Sequence, residues 1–376
     1  MDNFNNTAKN KDAAQFYSVH TFEVFMLLSK DEYVQCKNIL YDFCKKYGLS
    51  CYKHTSGTDC YKILKQDGFT LLRTWRFISA GGCRYGINII INARKLLGYK
   101  KYTHVCIAPG KDMPKIMPAL YDKLNYIGLH FLDYNRFQLR RLDLCTNIQL
   151  ETSETFEEYM RLICKGKNAY DSTLFMCYDK KQKRMVAPKY SFTLTGSTFE
   201  ISIYAKQRQM LDSENHYPAE ELQFSENQLR IELRFRNQKN NELIHQYQSL
   251  DNLIYHIPEI GHQYIVRYLN AIYGKGDFYR FDIAAQLIES SHFHSVTKQN
   301  MRKFMKAVAK SSLNDAINKF GTNPADSMLY HFNQLHISPI TLPIRSNYTL
   351  LLHPLNYIIC QNVNHCDQDT PPAAEN

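Results

Sequence analysis

The chain contains no run of 18 apolar residues, no Cys-x-x-Cys pair, no Gly-x-Gly-x-x-Gly or Walker-type loop, and one tryptophan in 376 residues. Without a long apolar run there is no candidate membrane-spanning helix. The 11 cysteines are odd in number, and several interrupt apolar runs, as Cys106 does in HVCIAP and Cys145 in LDLCTNI. They read as reduced, mostly buried thiols in a cytoplasm, not as a disulfide framework or a zinc site. Without a glycine-rich phosphate loop, nothing points to ATP binding. The opening residues, DNFNNTAKNKDAA, lack the apolar stretch of a signal peptide.

What is present is globular: 44% apolar and 22% charged, long enough for one large domain or two ordinary ones. The 27 Tyr and 21 Phe fit base stacking, but an A/T-rich coding sequence enriches the same residues. A formal charge of +10 is usual for a protein that meets nucleic acid or an anionic surface, and equally for solvated basic faces.

Periodicity predicts a strand over 19–28, then a helix opened by Asp31 and stopped by Gly48. Further strands are expected at 60–66, 69–79, 84–92 and 102–108, a helix over 112–129 with an irregularity at Pro118, and a strand over 137–149. A helix follows, capped by Thr152 or Ser153 with carboxylates in its first turn. Strands near 173–179, 184–195, 198–206 and 228–236 complete an α+β domain with a central, mainly antiparallel sheet flanked by helices. From about 240 to 335 the pattern is helix after helix. There, 280–289, the break SSHFHS and the basic 296–310 form either a helix-turn-helix or a plain packing module. The expected division is a disordered tail 1–16, a domain over 17–245, a helical DNA-binding or accessory region over 246–363, and a disordered tail 364–376.

Three strands have polar faces. Arg141, Asp143, Cys145 and Asn147 share one; Glu200, Ser202, Tyr204 and Lys206 another; Arg230, Glu232, Arg234 and Arg236 the third. Singly, each is the wet side of a half-buried sheet. As neighbours they would gather groups suited to phosphodiester chemistry. Asp143 and Glu232 are hard oxygen ligands for Mg²⁺ or Mn²⁺. Tyr204 could attack phosphorus, Lys206 could lower its pKa or neutralise developing charge, and the arginines could clamp flanking phosphates.

These strands, RLD at 141–143, YAK at 204–206 and RIELR at 230–234, resemble the replication initiators of filamentous phages and of small rolling-circle plasmids (Rep_trans-like) over roughly residues 85–245. The resemblance implies a sheet related to the palm of the His-hydrophobic-His nickases, with a C-terminal helical region. It implies Tyr204 as nucleophile with Lys206 beside it, Asp143 and Glu232 as metal ligands, and Arg141, Arg230 and Arg234 on DNA phosphates. The activity implied is a site-specific nick at a replication origin through a 5′-phosphotyrosine, and later rejoining. Its expected setting is the cytoplasm of a bacterial host, with origin DNA, a host helicase, a polymerase and a second copy of the chain as partners. A basic stretch holding Lys180, Lys181, Lys183 and Arg184 reads either as a solvated hairpin or as a DNA-backbone contact.

Tyr178, followed by Lys180, is a rival nucleophile, but its strand leads into the turn-like KKQKR. His292-Phe293-His294 literally matches the nickase histidine pair, yet it falls in an inter-helix break downstream of the tyrosine, and it reads as coincidence. Two other classes fit the same residues: a non-catalytic origin-binding protein, and a relaxase or transposase using the same tyrosine chemistry.

Overall fold

The computed structural model describes residues 16–54, 57–99, 102–179 and 183–361. Both expected tails fall largely outside this range. In chain order the strands are β1 (Ser18–Leu28), β2 (Cys51–Lys53), β3 (Thr58–Tyr61), β4 (Phe69–Ser79), β5 (Gly82–Asn92), β6 (Gln138–Gln149), β7 (Thr173–Leu174), β8 (Cys177–Asp179), β9 (Arg184–Val186), β10 (Ser191–Thr195), β11 (Phe199–Ala205) and β12 (Gln228–Arg236). The helices that matter below are α1 (Lys30–Lys46), α2 (Met113–Tyr126), α3 (Ser153–Ile163), α4 (Lys206–Leu211), α5 (Phe281–Ser290) and α6 (Ser295–Lys310).

The described chain forms two compact units. The first takes residues up to Thr146 together with Leu233–His262; the second takes Asn147–Glu232 and the residues from Gln263 on. The cuts differ from the 17–245 and 246–363 blocks of the sequence because β6 and β12 each begin in one unit and end in the other.

In the first unit the strand order is β2-β3-β4-β5-β1-β6, with the end of β12 beside β6. The pairings β2–β3, β3–β4, β4–β5, β5–β1 and β1–β6 are all antiparallel. Phe22, Val24 and Met26 of β1, Ile87, Ile89 and Ile91 of β5, and Leu142 and Leu144 of β6 are fully buried. Cys36 and Leu40 of α1 and Ile116, Leu120 and Leu124 of α2 are buried with them. In the second unit the start of β12 neighbours β11, followed by β10 and β7, and β11–β10 and β10–β7 are antiparallel. Ile201, Ile203, Leu229, Ile231, Leu194, Tyr159 and Ile163 fill its interior. The fold is therefore α+β with a large, mainly antiparallel sheet flanked by helices, as the alternation of apolar residues implies.

Local departures from the sequence reading have local causes. Helix α1 starts earlier than Asp31. Ser29 Oγ accepts the Glu32 N–H at 3.1 Å and the Glu32 carboxylate accepts the Ser29 N–H at 2.7 Å, a capping box that a search for a leading Asp overlooks. Residues 102–108 are not a strand. The N–H groups of Val105 and Cys106 bond back to the Tyr102 carbonyl at 3.0 and 2.8 Å, closing a turn on the left-handed Tyr102. The run expected at 60–66 stops at Tyr61 and passes through left-handed Leu64 into a short 3₁₀ turn. That at 184–195 is two strands flanking Pro188, which has no N–H to give a ladder. Thr152 caps α3 as expected, accepting the Thr155 N–H at 3.1 Å. Pro118 sits inside α2 without ending it.

Candidate functional site

In the second unit, β11 buries Phe199, Ile201, Ile203 and Ala205 and leaves Glu200, Ser202 and Tyr204 half-buried on its other face. On the neighbouring β12, Leu229 and Ile231 point into the core while Arg230 and Glu232 alternate with them. This period of two is what brings the phenol and the carboxylate to one face. Tyr204 Oη donates to Glu232 Oε1 at 2.7 Å. Arg230 Nη1 lies 3.8 Å from the same carboxylate, and its Nε donates to Asn147 Oδ1 at 2.9 Å. The Arg230 side chain has no solvent exposure, so its charge needs these partners to be tolerated. Asn147 lies on the polar face of β6, but nothing in the sequence alone sets it apart from its neighbours. Only the cross-strand contact reveals that it orients Arg230.

Lys206 is not a fourth member of the strand face. The strand ends at Ala205, and Lys206 opens α4. Its ammonium, on a side chain 5% exposed, donates to Gln209 Oε1 at 2.9 Å and sits 5.9 Å from the centre of the Tyr204 ring. A cation held this near the face of a tyrosine ring is attracted by the ring's negative face.

In the first unit, Asp143 is 1% exposed and clamped between two arginines. Arg141 Nε reaches both carboxylate oxygens at 2.9 Å, Arg141 Nη2 bonds Oδ2 as well, and Arg234 Nε donates to Oδ1 at 2.9 Å. A carboxylate offers about four lone-pair sites, and three guanidinium N–H groups take up most of them. Asp143 therefore does not fit a hard-cation ligand without displacing an arginine. Glu232 is held by Tyr204 and Arg230. Among the described residues no group of three or more His, Cys, Asp or Glu side chains gathers to hold a metal.

The first unit also holds a polar network that the sequence did not disclose. Glu23 of β1, 6% exposed, accepts from Arg73 Nη2 at 2.8 Å and Asn88 Nδ2 at 2.7 Å, and Arg140 Nε is 3.8 Å away. Trp75 Nε1 donates to Asn88 Oδ1 at 2.6 Å. Glu23 lies across from Arg141 in the β1–β6 register, as Thr21 lies across from Asp143. Its only sequence signal is an acid inside a largely apolar strand.

Of the basic stretch, Lys180 and Lys181 lie outside the described residues. Lys183 is exposed in a left-handed turn, and Arg184 pairs by its backbone with Asp179 across β8–β9. His292 and His294 are exposed in the connection between α5 and α6, and no metal cluster includes them among the described residues. Helix α6 carries Lys298, Arg302, Lys303, Lys306 and Lys310 with no acid, and buries Met301, Phe304, Met305 and Val308 on its other side. The helix–break–helix of the sequence is thus present. No helix among the described residues is long and apolar enough to cross a membrane.

Comparison with known proteins places these observations beside one structure. No family model matches the chain and no curated protein matches it. The chain is similar in structure to a rolling circle replication initiator protein from Geobacillus stearothermophilus, at 9% sequence identity and a TM-score of 0.33, over 85% of this chain and 97% of that one.

Proposed function

We propose that the chain is a DNA nicking-joining endonuclease that initiates rolling-circle replication, with Tyr204 as its nucleophile. The observation that carries the reading is the 2.7 Å hydrogen bond from Tyr204 Oη to Glu232, a half-buried phenol facing a carboxylate that can take its proton. The motif resemblance over β6, β11 and β12 agrees with it.

In this reading Glu232 is the general base and Arg230 the positioning residue that holds it. Tyr204 Oη attacks the scissile phosphorus, the Tyr O–P bond forms, and the bond to the 3′ oxygen breaks. The phenol proton taken by Glu232 ends on the released 3′ hydroxyl, so the exchange of one phosphodiester for another is balanced. Because the phosphotyrosine keeps the bond energy, the reverse step can rejoin the strand. Lys206, beside the ring, neutralises charge that develops on the phosphate, and Arg141 and Arg234 act on the DNA backbone. The released 3′ end primes a host polymerase, and a separate helicase opens the duplex, since the sequence holds no nucleotide-triphosphate loop. A bacterial cytoplasm and a second copy of the chain as partner belong to the same proposal. A divalent cation, Mg²⁺ or Mn²⁺, is proposed as cofactor; bound at the scissile phosphate it would polarise that group.

The test is incubation of the purified protein with supercoiled DNA of its own replicon in Mg²⁺, Mn²⁺ or EDTA, followed by protease. The expected product is a relaxed circle with a blocked 5′ end, and a nucleotide-bearing peptide that contains Tyr204. Tyr204→Phe should abolish the nick and Glu232→Gln should slow it by about 10²–10⁴-fold. Nicking by Tyr204→Phe at the native rate would overturn the assignment.

A further inference from the structure

We infer that the β4–β5 hairpin of the first unit is a wedge that inserts into duplex DNA and unstacks a base step. The two strands pair without a break from Leu71↔Ile90 to Ser79↔Gly82, leaving a two-residue connection, Ala80-Gly81. Residues 76 to 84, the whole end of this ribbon, are exposed. Both large apolar side chains there face solvent, Phe77 at 60% and Ile78 at 68%. Single exposed apolar residues are ordinary on protein surfaces. Two adjacent ones at the tip of a projecting ribbon, one on each face, are not covered by any described residue and give the tip an apolar edge on both sides.

The charge around them selects the occupant. Residues 69–92 contain three arginines and no acid. Arg73 is committed to Glu23 at 2.8 Å, whereas Arg76 and Arg84 have no ion-pair partner among the described residues. Arg84 stands directly across from Phe77, and Arg76 across from Tyr85. A tip with an apolar centre and flanking cations is complementary to a polyanion with an apolar interior, which is what a stacked duplex is. A two-stranded ribbon fits a DNA groove, and Phe and Ile are side chains that wedge between base steps. About four exposed residues per strand reach about 13 Å at 3.3 Å each, against a major-groove depth of about 8.5 Å, so the tip can reach the bases.

The base of the ribbon is built to hold the tip still. Trp75 is fixed by its bond to Asn88 at 2.6 Å and lies against Gly86, where a Cβ would come within 2.4 Å of the indole. Tyr85 packs on Tyr33 of α1 with ring centres 4.9 Å apart. A wedge needs such an anchored root, because a floppy tip would yield before a base step does.

This inference rests on the DNA reading above and says how the duplex is gripped. The test uses the full chain and a 30-base-pair duplex carrying 2-aminopurine at spaced positions, read by fluorescence and by anisotropy over a range of salt. The native chain should raise the 2-aminopurine signal. Phe77→Ser with Ile78→Ser should lose most of that rise while its affinity stays within about threefold. Arg76→Ala with Arg84→Ala should weaken binding and lower the slope of log K against log salt by about 1.8, the amount for two phosphate contacts. An equal signal from the Ser variant, or a native chain that nicks DNA but leaves the 2-aminopurine dark, overturns the wedge and leaves the nickase reading standing. Absence of nicking alone, with a full fluorescence response, removes the nickase reading and leaves the wedge. Sedimentation of the native chain as a dimer that the Ser variant dissolves would make the tip a protein contact, and the proposal falls.

Discussion

Neutralising Asp143 separates an arginine clamp from a metal site. If Asp143 were a waiting metal ligand, Asp143→Asn would leave the metal-free protein as stable as before. The clamp demands the opposite. Stranding a charge in a buried pair costs about 3–5 kcal/mol. Here Arg141 and Arg234 keep side-chain exposures of 33% and 30%, so both freed guanidiniums can turn toward water. The loss then falls toward that of charge-assisted hydrogen bonds, about 2 kcal/mol for the set. At about 2–4 °C per kcal/mol for a unit of 150–250 residues, melting should fall by about 4–8 °C. The assay is calorimetry in EDTA on Asp143→Asn, Arg234→Gln and the double variant. Because the two residues share a contact, the double should cost less than the sum by about 1 kcal/mol. A melt within about 1 °C of native for Asp143→Asn, or additive losses, would refute the clamp.

Two further outcomes follow from single contacts. Gly86→Ala places a Cβ 2.4 Å from Trp75 Cζ2 and 2.9 Å from the Met26 carbonyl oxygen. Overpacking of this kind costs about 1–3 kcal/mol, and a shift in the emission of the lone tryptophan should report it together with a lower melting temperature. Burial pushes the His353 imidazole down to about 4, against a partial upward pull from Asp277. Protons therefore bind the unfolded chain first as pH falls. Stability of the second unit is complete above about pH 6.5 and is lost progressively down to about pH 4, by about 2 kcal/mol already at pH 5. His353→Asn should flatten that part of the melting-temperature profile, and an unchanged slope would rule His353 out as its source.

Most of the sheet was legible in the sequence, because alternation marks a strand wherever one face is buried. β1, β4, β5, β6, β11 and β12 all lie within a residue or two of their expected bounds. What failed was chemistry that alternation cannot see. The turn at 102–106 holds Val105 buried without being extended, and Val105 looks the same in either state. Lys206 continued the alternation of β11 on paper, but its backbone begins a helix there, and the only hint was the helix-forming run KQRQML that follows. The division into units was invisible for another reason. It depends on which strands neighbour which, and β6 and β12 are contiguous stretches of sequence that serve both.

The candidate site shows where such reading stops. The polar faces of β6, β11 and β12 singled out Arg141, Asp143, Tyr204, Arg230, Glu232 and Arg234, but the pairing among them could not be inferred from order along the chain. Treated as a set, two acids and several arginines suggest a cation pocket. Resolved into contacts, Asp143 is closed between Arg141 and Arg234, and Glu232 accepts the Tyr204 phenol. The difference is chemical and decisive for mechanism. A carboxylate whose lone pairs are mostly taken up by guanidinium groups can only hold those groups in place, whereas one that accepts a single phenolic proton can remove it. Tyr61 and Tyr159 are buried and have their phenols driven up by desolvation. Tyr204 is half-buried, bonds to a carboxylate that can take its proton and lies under an ammonium. It is this surrounding, more than its place in a short motif, that makes it the residue to test.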